Sequence, residues 1–529
     1  MSPSPVNPSR QAMRLAWLLL VLAAAAGLAW WWSLGRPVML PDAPSTRIAC
    51  VSYAPYRLPG ETPYDPHAFI SPARIAADLR VLSQRFDCVR TYSQGQGLSA
   101  VPAIAQRYGM KVLMGIWLDA DARANAREIA LGIANARAHP DVLRGVIVGN
   151  EVLLRTELAP KVLARYIRQV RAAIPASVPV SYADVWEDWL RYPQMARAVD
   201  YLTIHILPYW ENDPVSPEHA VRHVADVYAR IQRAFPGKRV MIGETGWPSE
   251  GRPRGAAVPS VVNEARYLRE FLAYAAKVKM PYNVIEAFDQ PWKRVQEGTV
   301  GGYWGIFDAH ARPKFPMRGP VTEDPDWWLG WLAAAAGALL FTLSAGRRRD
   351  WHGMRGWAAL VLAGLAGGCA LAWQARQMIY ACVDGWDWLL AGVAWLLSLL
   401  TGVLLAQSLA SGLAGMRSPH PPGAGWRFVW LFGLAFYSLL EVFDGRYRDF
   451  PLGLFALPCV GYLLLALLRP VAARPSLEQR FLGLAVVVLG AIMVLQSLGQ
   501  NVSTWLWLGL CLAIALPVLQ DCRTSRLES

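Results

Sequence analysis

Cysteine and histidine are scarce in this 529-residue chain: seven and eight respectively, with no CxxC pair and no His or Cys cluster at ligand spacing. That excludes a zinc ribbon and a disulfide framework. No GxGxxG follows a β-branched run, so the dinucleotide-binding fingerprint is missing too. Neither a fixed-period repeat nor a low-complexity tract is present. Charge is also in short supply, at 17% against 54% hydrophobic residues, too little for a wholly soluble protein. The net charge of +13 is no nucleic-acid signal. Residues 45–326 hold 35 Lys+Arg and 29 Asp+Glu, a balance of +6, and the other +7 flanks long apolar runs.

Those runs organise the chain. Arg10 and Arg14 precede an apolar stretch from Leu15 to Leu34, which ends in Trp30-Trp31-Trp32. A stretch of about 20 residues spans a hydrocarbon core, and the terminal tryptophans resemble an interfacial belt more than a small-residue cleavage site. An uncleaved signal anchor is expected. Seven further runs follow, near 327–345, 356–375, 387–412, 427–443, 450–468, 481–499 and 502–520. With the N-terminus inside, Arg347, Arg348, Arg349, Arg355, Arg417, Arg427, Arg469, Arg474, Arg480, Arg523 and Arg526 all fall on the cytoplasmic side, as the positive-inside rule requires. The expected organisation is a tail (1–14), an anchor (15–34), a soluble extracytoplasmic domain (45–320), a linker (321–326), a seven-helix membrane region (327–520) and a second tail (521–529). Membrane lipid is thus one partner, and a multi-pass inner (cell) membrane protein with a periplasmic domain is the expected location. The bundle reads as an anchor, or as a docking surface for a polysaccharide synthase or export partner.

Within the soluble segment, β-branched runs alternate with amphipathic stretches. Candidate strands are Ile48–Tyr53, Cys88–Tyr92, Val112–Trp117, Gly145–Gly149, Val178–Tyr182, Tyr201–Ile206, Val240–Gly243 and Asn283–Phe288. Between them lie helical patterns such as the one opened by Ser71-Pro72, a cap followed by proline in the first turn. Eight strands separated by helices predict an α/β fold, a (β/α)8 TIM barrel, joined to the α-helical transmembrane bundle. Cys50 and Cys88 fall on neighbouring strands, where a disulfide is disfavoured because adjacent parallel strands rarely give the geometry.

Such barrels keep their chemistry where strands emerge at their carboxyl ends. Acids follow most of these strands: Asp119, Asp121, Glu151, Asp184, Glu187, Glu211, Glu244 and Asp289. Most are expected to be loop or cap residues. Glu151 and Glu244 differ, because each is flush with an apolar strand and flanked by glycine, which lets a substrate approach closely. Two carboxylates on separate strand ends suit glycosidic cleavage, one donating a proton and the other attacking the sugar carbon. Glu286, inside the eighth strand, reads equally as a structural charge or a site residue. His205 reads as a satisfied barrel histidine, since no other ligand accompanies it at metal spacing. No metal or other cofactor is expected.

Asn150-Glu151 with Glu244 resembles the large clan of retaining (β/α)8 glycosidases. Gly243-Glu-Thr-Gly-Trp-Pro-Ser-Glu-Gly251 resembles the signature of glycoside hydrolase family 17, the β-1,3-glucanases and β-glucan transglycosylases. Glu286-Ala-Phe-Asp-Gln-Pro-Trp-Lys293 and Tyr303-Trp-Gly-Ile-Phe307 resemble that family's closing strand. The resemblance covers roughly 45–316 and, with the apolar runs, suggests the bacterial membrane-anchored type. It implies Glu244 as nucleophile, Glu151 as acid/base, Asn150 as partner of the sugar 2-hydroxyl, and Arg90 and Tyr209 as residues keeping Glu244 ionised. Lys293 carries over as a substrate-binding residue, although many members have Glu where this chain has Gln290. The acid is expected to stay protonated through partial desolvation and a nearby like charge. Aromatics crowd the same strand ends, and Trp247, Trp292 and Trp304 are taken as sugar contacts because flat apolar faces stack on pyranose rings. The expected activity is retaining hydrolysis or transglycosylation of β-1,3-glucan; a catalytically inert glucan receptor or export component is the alternative.

Overall fold

A computed structural model of the chain describes residues 9–346, 353–415, 424–468 and 475–520. It divides into two compact units, one of Val38–Gly251 with Ala256–Val321, the other of Met1–Pro37, Arg252–Gly255 and Thr322–Ser529.

The first unit is a curled, wholly parallel sheet in sequential order, with helices between the strands. Its strands are β1 (Val51–Ser52), β2 (Cys88–Arg90), β3 (Lys111–Ile116), β4 (Leu143–Asn150), β5 (Val180–Val185), β6 (Tyr201–His205) and β7 (Arg239–Glu244). All seven fall on predicted runs. The eighth run forms no extended ladder. Tyr282 makes a parallel bridge to Ile242 of β7, and Val284 one to Val51 of β1. This segment thereby links the two sheet edges, an arrangement consistent with a (β/α)8 fold. Asn283 and Ile285 donate their backbone N–H to Ile242 O and Thr245 O, Val284 and Ala287 donate theirs to Cys50 O and Ser52 O, and Glu286 and Asp289 turn theirs to Trp304 O and Phe307 O.

Local signals explain the helices. Ser71 caps Pro72–Leu82, its hydroxyl accepting from Arg74 N at 3.2 Å, and Ser260 caps Val261–Val278, accepting from Asn263 N at 3.0 Å. Asp121 is likewise a cap, for Ala122–Ala138.

Side chains two residues apart share one face of a strand, and this sorts the sheet interior into layers. Cys50, Cys88, Leu113, Ile147 and Ala183 form a small buried apolar plug, with Met241 packed against it. Two residues further along their strands come Ser52, Arg90, Gly115, Gly149, Val185 and Gly243, so above the plug two polar side chains stand among small residues. Cys50 and Cys88 are joined as a disulfide, against the expectation drawn from strand adjacency. The parallel register that pairs Ile48 with Phe86 and Val51 with Val89 sets the two cysteines opposite one another, with Cα atoms 4.3 Å apart.

The second unit consists of apolar helices. Among the described residues six are long and apolar enough to cross a membrane: Arg10–Leu34, Gly353–Ala381, Gly385–Leu413, Gly425–Tyr447, Leu477–Gln496 and Val502–Leu519. Trp328–Ser344 and Leu452–Leu468 match the other two predicted runs but have 17 residues each, or about 26 Å at 1.5 Å per residue, short of a core of about 30 Å. Small residues let helices touch: a Cβ on Gly368 would lie 2.1 Å from the Ala333 carbonyl oxygen. Thr401 Oγ1 accepts from the indoles of Trp426 and Trp430 at 2.8 and 3.0 Å. The tail residues 1–8 and 521–529, and Arg347–Arg349, Arg417, Arg469, Arg474, Arg523 and Arg526, lie outside the described residues.

Candidate active site

The last residues of four strands converge: Arg90 of β2, Asn150 of β4, His205 of β6 and Glu244 of β7, with Glu151 one step past β4. The β6–β7 register shifts at its end so that His205 pairs with Glu244. Glu151 turns off its strand at φ 52° while its N–H still bonds Ala183 O at 2.8 Å. One carboxylate oxygen each of Glu151 and Glu244, with a ring nitrogen of His205, lie within 4.8 Å of one another.

Arg90 is the organiser. Its side chain is 1% exposed, and its Nη1 donates to Gly243 O at 2.7 Å and to Glu244 Oε1 at 3.2 Å, while Nη2 donates to Asn150 Oδ1 at 2.6 Å. A rigid fork of donors suits this geometry. Tyr92 O–H donates to the same Glu244 oxygen at 2.8 Å. Tyr92 was absent from the sequence-based set; the signal that could have found it is its position two residues beyond Arg90, on the same strand face. Tyr209 is fully buried, edge-on to Trp210, Trp247 and Trp304.

Glu151 is more open, with 24% of its side chain exposed. His205 Nδ1 lies 2.7 Å from its Oε1. Burial pushes the Glu151 carboxyl up, but the His205 hydrogen bond, with the charges of Arg155 and Arg90, holds it below its ordinary value. That corrects the expectation that desolvation and a like charge would dominate: neither His205 nor Arg155 had been placed beside it. His205 is thus part of the site, where the sequence reading had made it a barrel filler. The Glu151, His205 and Glu244 donor set could hold a metal ion by its chemistry, but Arg90, 3.2 Å from one of these ligand atoms and 3.3 Å from another, places a fixed positive charge against any cation there.

Around this centre lie the other predicted residues. Lys293 Nζ bonds both oxygens of Glu286, at 2.9 and 2.8 Å. Glu286 is 1% exposed, and burial pushes its carboxyl up to about 7 despite Lys293. Glu297, unforeseen, is also pushed up, first by burial and then, against the pull of Lys293, by the charges of Glu151 and Glu244. Gln290 explains why this chain departs from Glu at that position: its Nε2 donates to Ala54 O at 2.6 Å, which a carboxylate could not do. Its Oε1 accepts from Trp292 Nε1 at 2.7 Å. Trp292 is half-buried, edge-on to Tyr64 with ring centroids 5.5 Å apart. Trp304 stacks on Trp210, and its indole N–H is buried without a partner. Trp247 is 1% exposed and donates its N–H to Val258 O at 3.0 Å, so it packs behind Tyr209 without an open face.

Residues 50–305 match the family model described as the BtgE/BtgC glycoside hydrolase domain. This segment, just under half of the chain, is similar to that glycoside hydrolase domain, and its relatives include proteins named for family 17. The chain is 28% identical over 257 residues to a glucan 1,3-beta-glucosidase of Schizosaccharomyces pombe, covering 46% of this chain and 79% of that one. It is 29% identical over 266 residues to a glucan 1,3-beta-glucosidase of Arthroderma benhamiae, covering 47% and 85%. Among solved structures, a family 17 β-1,3-glucanosyltransferase from Rhizomucor miehei matches at 28% identity and a TM-score of 0.45, covering 51% of this chain and 97% of that one.

Proposed function

We propose that the 38–321 unit cleaves β-1,3-linked glucan by retaining double displacement, with Glu244 as nucleophile and Glu151 as acid/base. The observation that carries this reading is the approach of the two carboxylates to within 4.8 Å. Retaining pairs stand about 5–5.5 Å apart, and inverting pairs about 6.5–9.5 Å to admit a water. The homologous segment and the names of its relatives supply the glucan. In the first step Glu244 attacks the anomeric carbon, the glycosidic bond breaks and Glu151 gives its proton to the leaving oxygen. In the second, Glu151 takes a proton from water or a sugar hydroxyl, which displaces Glu244. Water gives hydrolysis; a glucan hydroxyl gives transfer.

In this reading Asn150, held by Arg90, meets the sugar 2-hydroxyl, Lys293 and Trp292 line the substrate path, and Trp304 offers its N–H. Tyr209 and Trp247 support them from behind. The apolar helices, including the two short ones, serve as eight spans of the membrane-anchored type, with the catalytic unit outside the cytoplasm. The disulfide supports that side, since such bonds persist in oxidising compartments. An inert receptor is disfavoured, because binding alone needs no proton donor beside the nucleophile.

The test uses two alanine variants of the full chain, an activated aryl β-glucoside and azide. Glu151→Ala still forms the intermediate from such a substrate, and azide entering the vacated space should yield a β-glycosyl azide. Glu244→Ala should yield the α product. An α-azide from Glu151→Ala would exchange the roles. Product length on laminari-oligosaccharides then separates transfer (longer) from hydrolysis (shorter), and no product at all means a receptor.

A further inference from the structure

His205 presents one ring nitrogen to each glutamate. It is the last residue of β6 and 1% exposed. Nδ1 lies 2.7 Å from Glu151 Oε1, while Nε2 lies 3.3 Å from Arg90 Nη1 and 3.6 Å from Glu244 Oε1. A guanidinium can only donate, so the ring nitrogen it faces is the acceptor. A neutral imidazole has a single N–H, which must then sit on Nδ1 and point at Glu151. The room for this ring comes from Gly243. A Cβ there would stand 2.4 Å from Thr203 Cγ2 and 3.0 and 3.1 Å from His205 Cδ2 and Nε2.

We infer that His205 is a positioning residue, which holds the acid/base Glu151 through Nδ1–H and takes its own orientation from Arg90 through Nε2. The inference rests on the roles proposed above. When Glu151 has passed its proton to the leaving oxygen, the new carboxylate meets an N–H already aimed at it; when Glu151 then takes a proton from the acceptor hydroxyl, that same bond weakens. A donor held in this way makes Glu151 a stronger acid and a weaker base, and so sets the pH above which the protonated form runs out.

Other groups face Glu151 as well: Arg90 from β2, Arg155 from the turn after β4, Asp184 from β5, Asp188 from the short helix Trp186–Arg191, Glu244 from β7, and Glu297 from Arg294–Glu297. Asp184 is pushed up to about 7, chiefly by burial. All of these stay in place when only residue 205 is changed, so variants at that position isolate the histidine.

The experiment measures kcat/KM against pH on a laminari-oligosaccharide with the full chain and three variants. His205→Phe removes both ring nitrogens. His205→Gln carries an amide to the Nε2 position, and His205→Asn restores a donor at the Nδ1 position. The alkaline limb should move up by about one pH unit in His205→Phe and His205→Gln, and should stay with the wild type in His205→Asn. A merely structural histidine would lower the amount of active enzyme without moving the limb. Identical limbs in all four proteins, or a shift in His205→Asn as large as in His205→Phe, overturn the inference. If His205→Phe does not fold, the Asn and Gln variants carry the comparison. Azide rescue of Glu151→Ala separates the two failures: no rescue overturns the roles and this inference with them, whereas rescue with an unmoved limb overturns the inference alone.

Discussion

Arg90→Met and Arg90→Lys together test how the site holds its nucleophile. The Arg90 guanidinium serves Glu244, Gly243 O and Asn150 at once, from a side chain 1% exposed. Methionine fills much of the same volume but leaves the Glu244 carboxylate, 7% exposed, without a cation. Breaking a buried pair by removing one partner costs about 3–5 kcal/mol, so thermal or denaturant unfolding should register the loss along with activity. Lysine keeps the charge and can serve Glu244, but a single ammonium lacks the fork that also reaches Asn150. Gly243 O keeps its bond from Asn283 Nδ2, at 2.7 Å, so the lost Asn150 bond dominates. A hydrogen bond to a charged group is worth about 1.5–3 kcal/mol, which predicts a fall in kcat/KM of roughly 10- to 100-fold with stability nearly kept. Steady-state kinetics and a melting curve on each variant decide it. Arg90→Met retaining a third or more of the wild-type kcat/KM, or Arg90→Lys being as unstable as Arg90→Met, would refute the reasoning.

Gly243→Ala should push His205 off Glu151 and cut kcat more than KM suffers, seen in the same kinetics. Removing the disulfide with Cys50→Ala and Cys88→Ala opens a crosslink between residues 38 apart, worth up to about 4 kcal/mol of chain entropy; urea unfolding with and without reductant measures it. Lys314→Met strips the ammonium from Glu264 and Asp289, bonded at 2.9 and 3.0 Å, and should cost about 3–5 kcal/mol in the same assay. Because Glu151 is held below its ordinary value, kcat/KM should decline as pH rises through that lowered value, giving an optimum on the acid side of neutrality.

What was legible in the sequence follows from how short the decisive interactions are. The seven strands were readable because each is a β-branched run bounded by turn residues, and the caps because a serine bonds an N–H three residues away. Glu151 and Glu244 were readable because glycine flanks each one at a strand end. His205 and Tyr92 were not, since their significance depends on contacts distant in the chain: the shift after Ile204 that pairs His205 with Glu244, and the bond from Tyr92 to Glu244, 152 residues away. The eighth run was readable in the same way, since its N–H groups bond both sheet edges; that Glu286 within it turns its N–H to Trp304 O is a choice made at long range. Trp247 misled because indole suits both sugar stacking and core packing, and only the bond to Val258 O separates the two.

The unequal settings of the two glutamates argue for the division of labour between them. A nucleophile must present one oxygen along a fixed line to the anomeric carbon and remain an anion, which favours a rigid, buried position with donors already in place. Glu244 has this: it belongs to β7, is 7% exposed and receives Arg90 and Tyr92 on one oxygen. An acid/base has to reach a leaving group in one half of the cycle and an incoming hydroxyl in the other, so it needs access. Glu151 has left its strand in a left-handed turn and is 24% exposed. Exchanging the roles would ask the exposed group to hold the covalent sugar while the buried one traded protons with solvent. The geometry favours the first assignment, and the stereochemistry of the rescued azide decides between them.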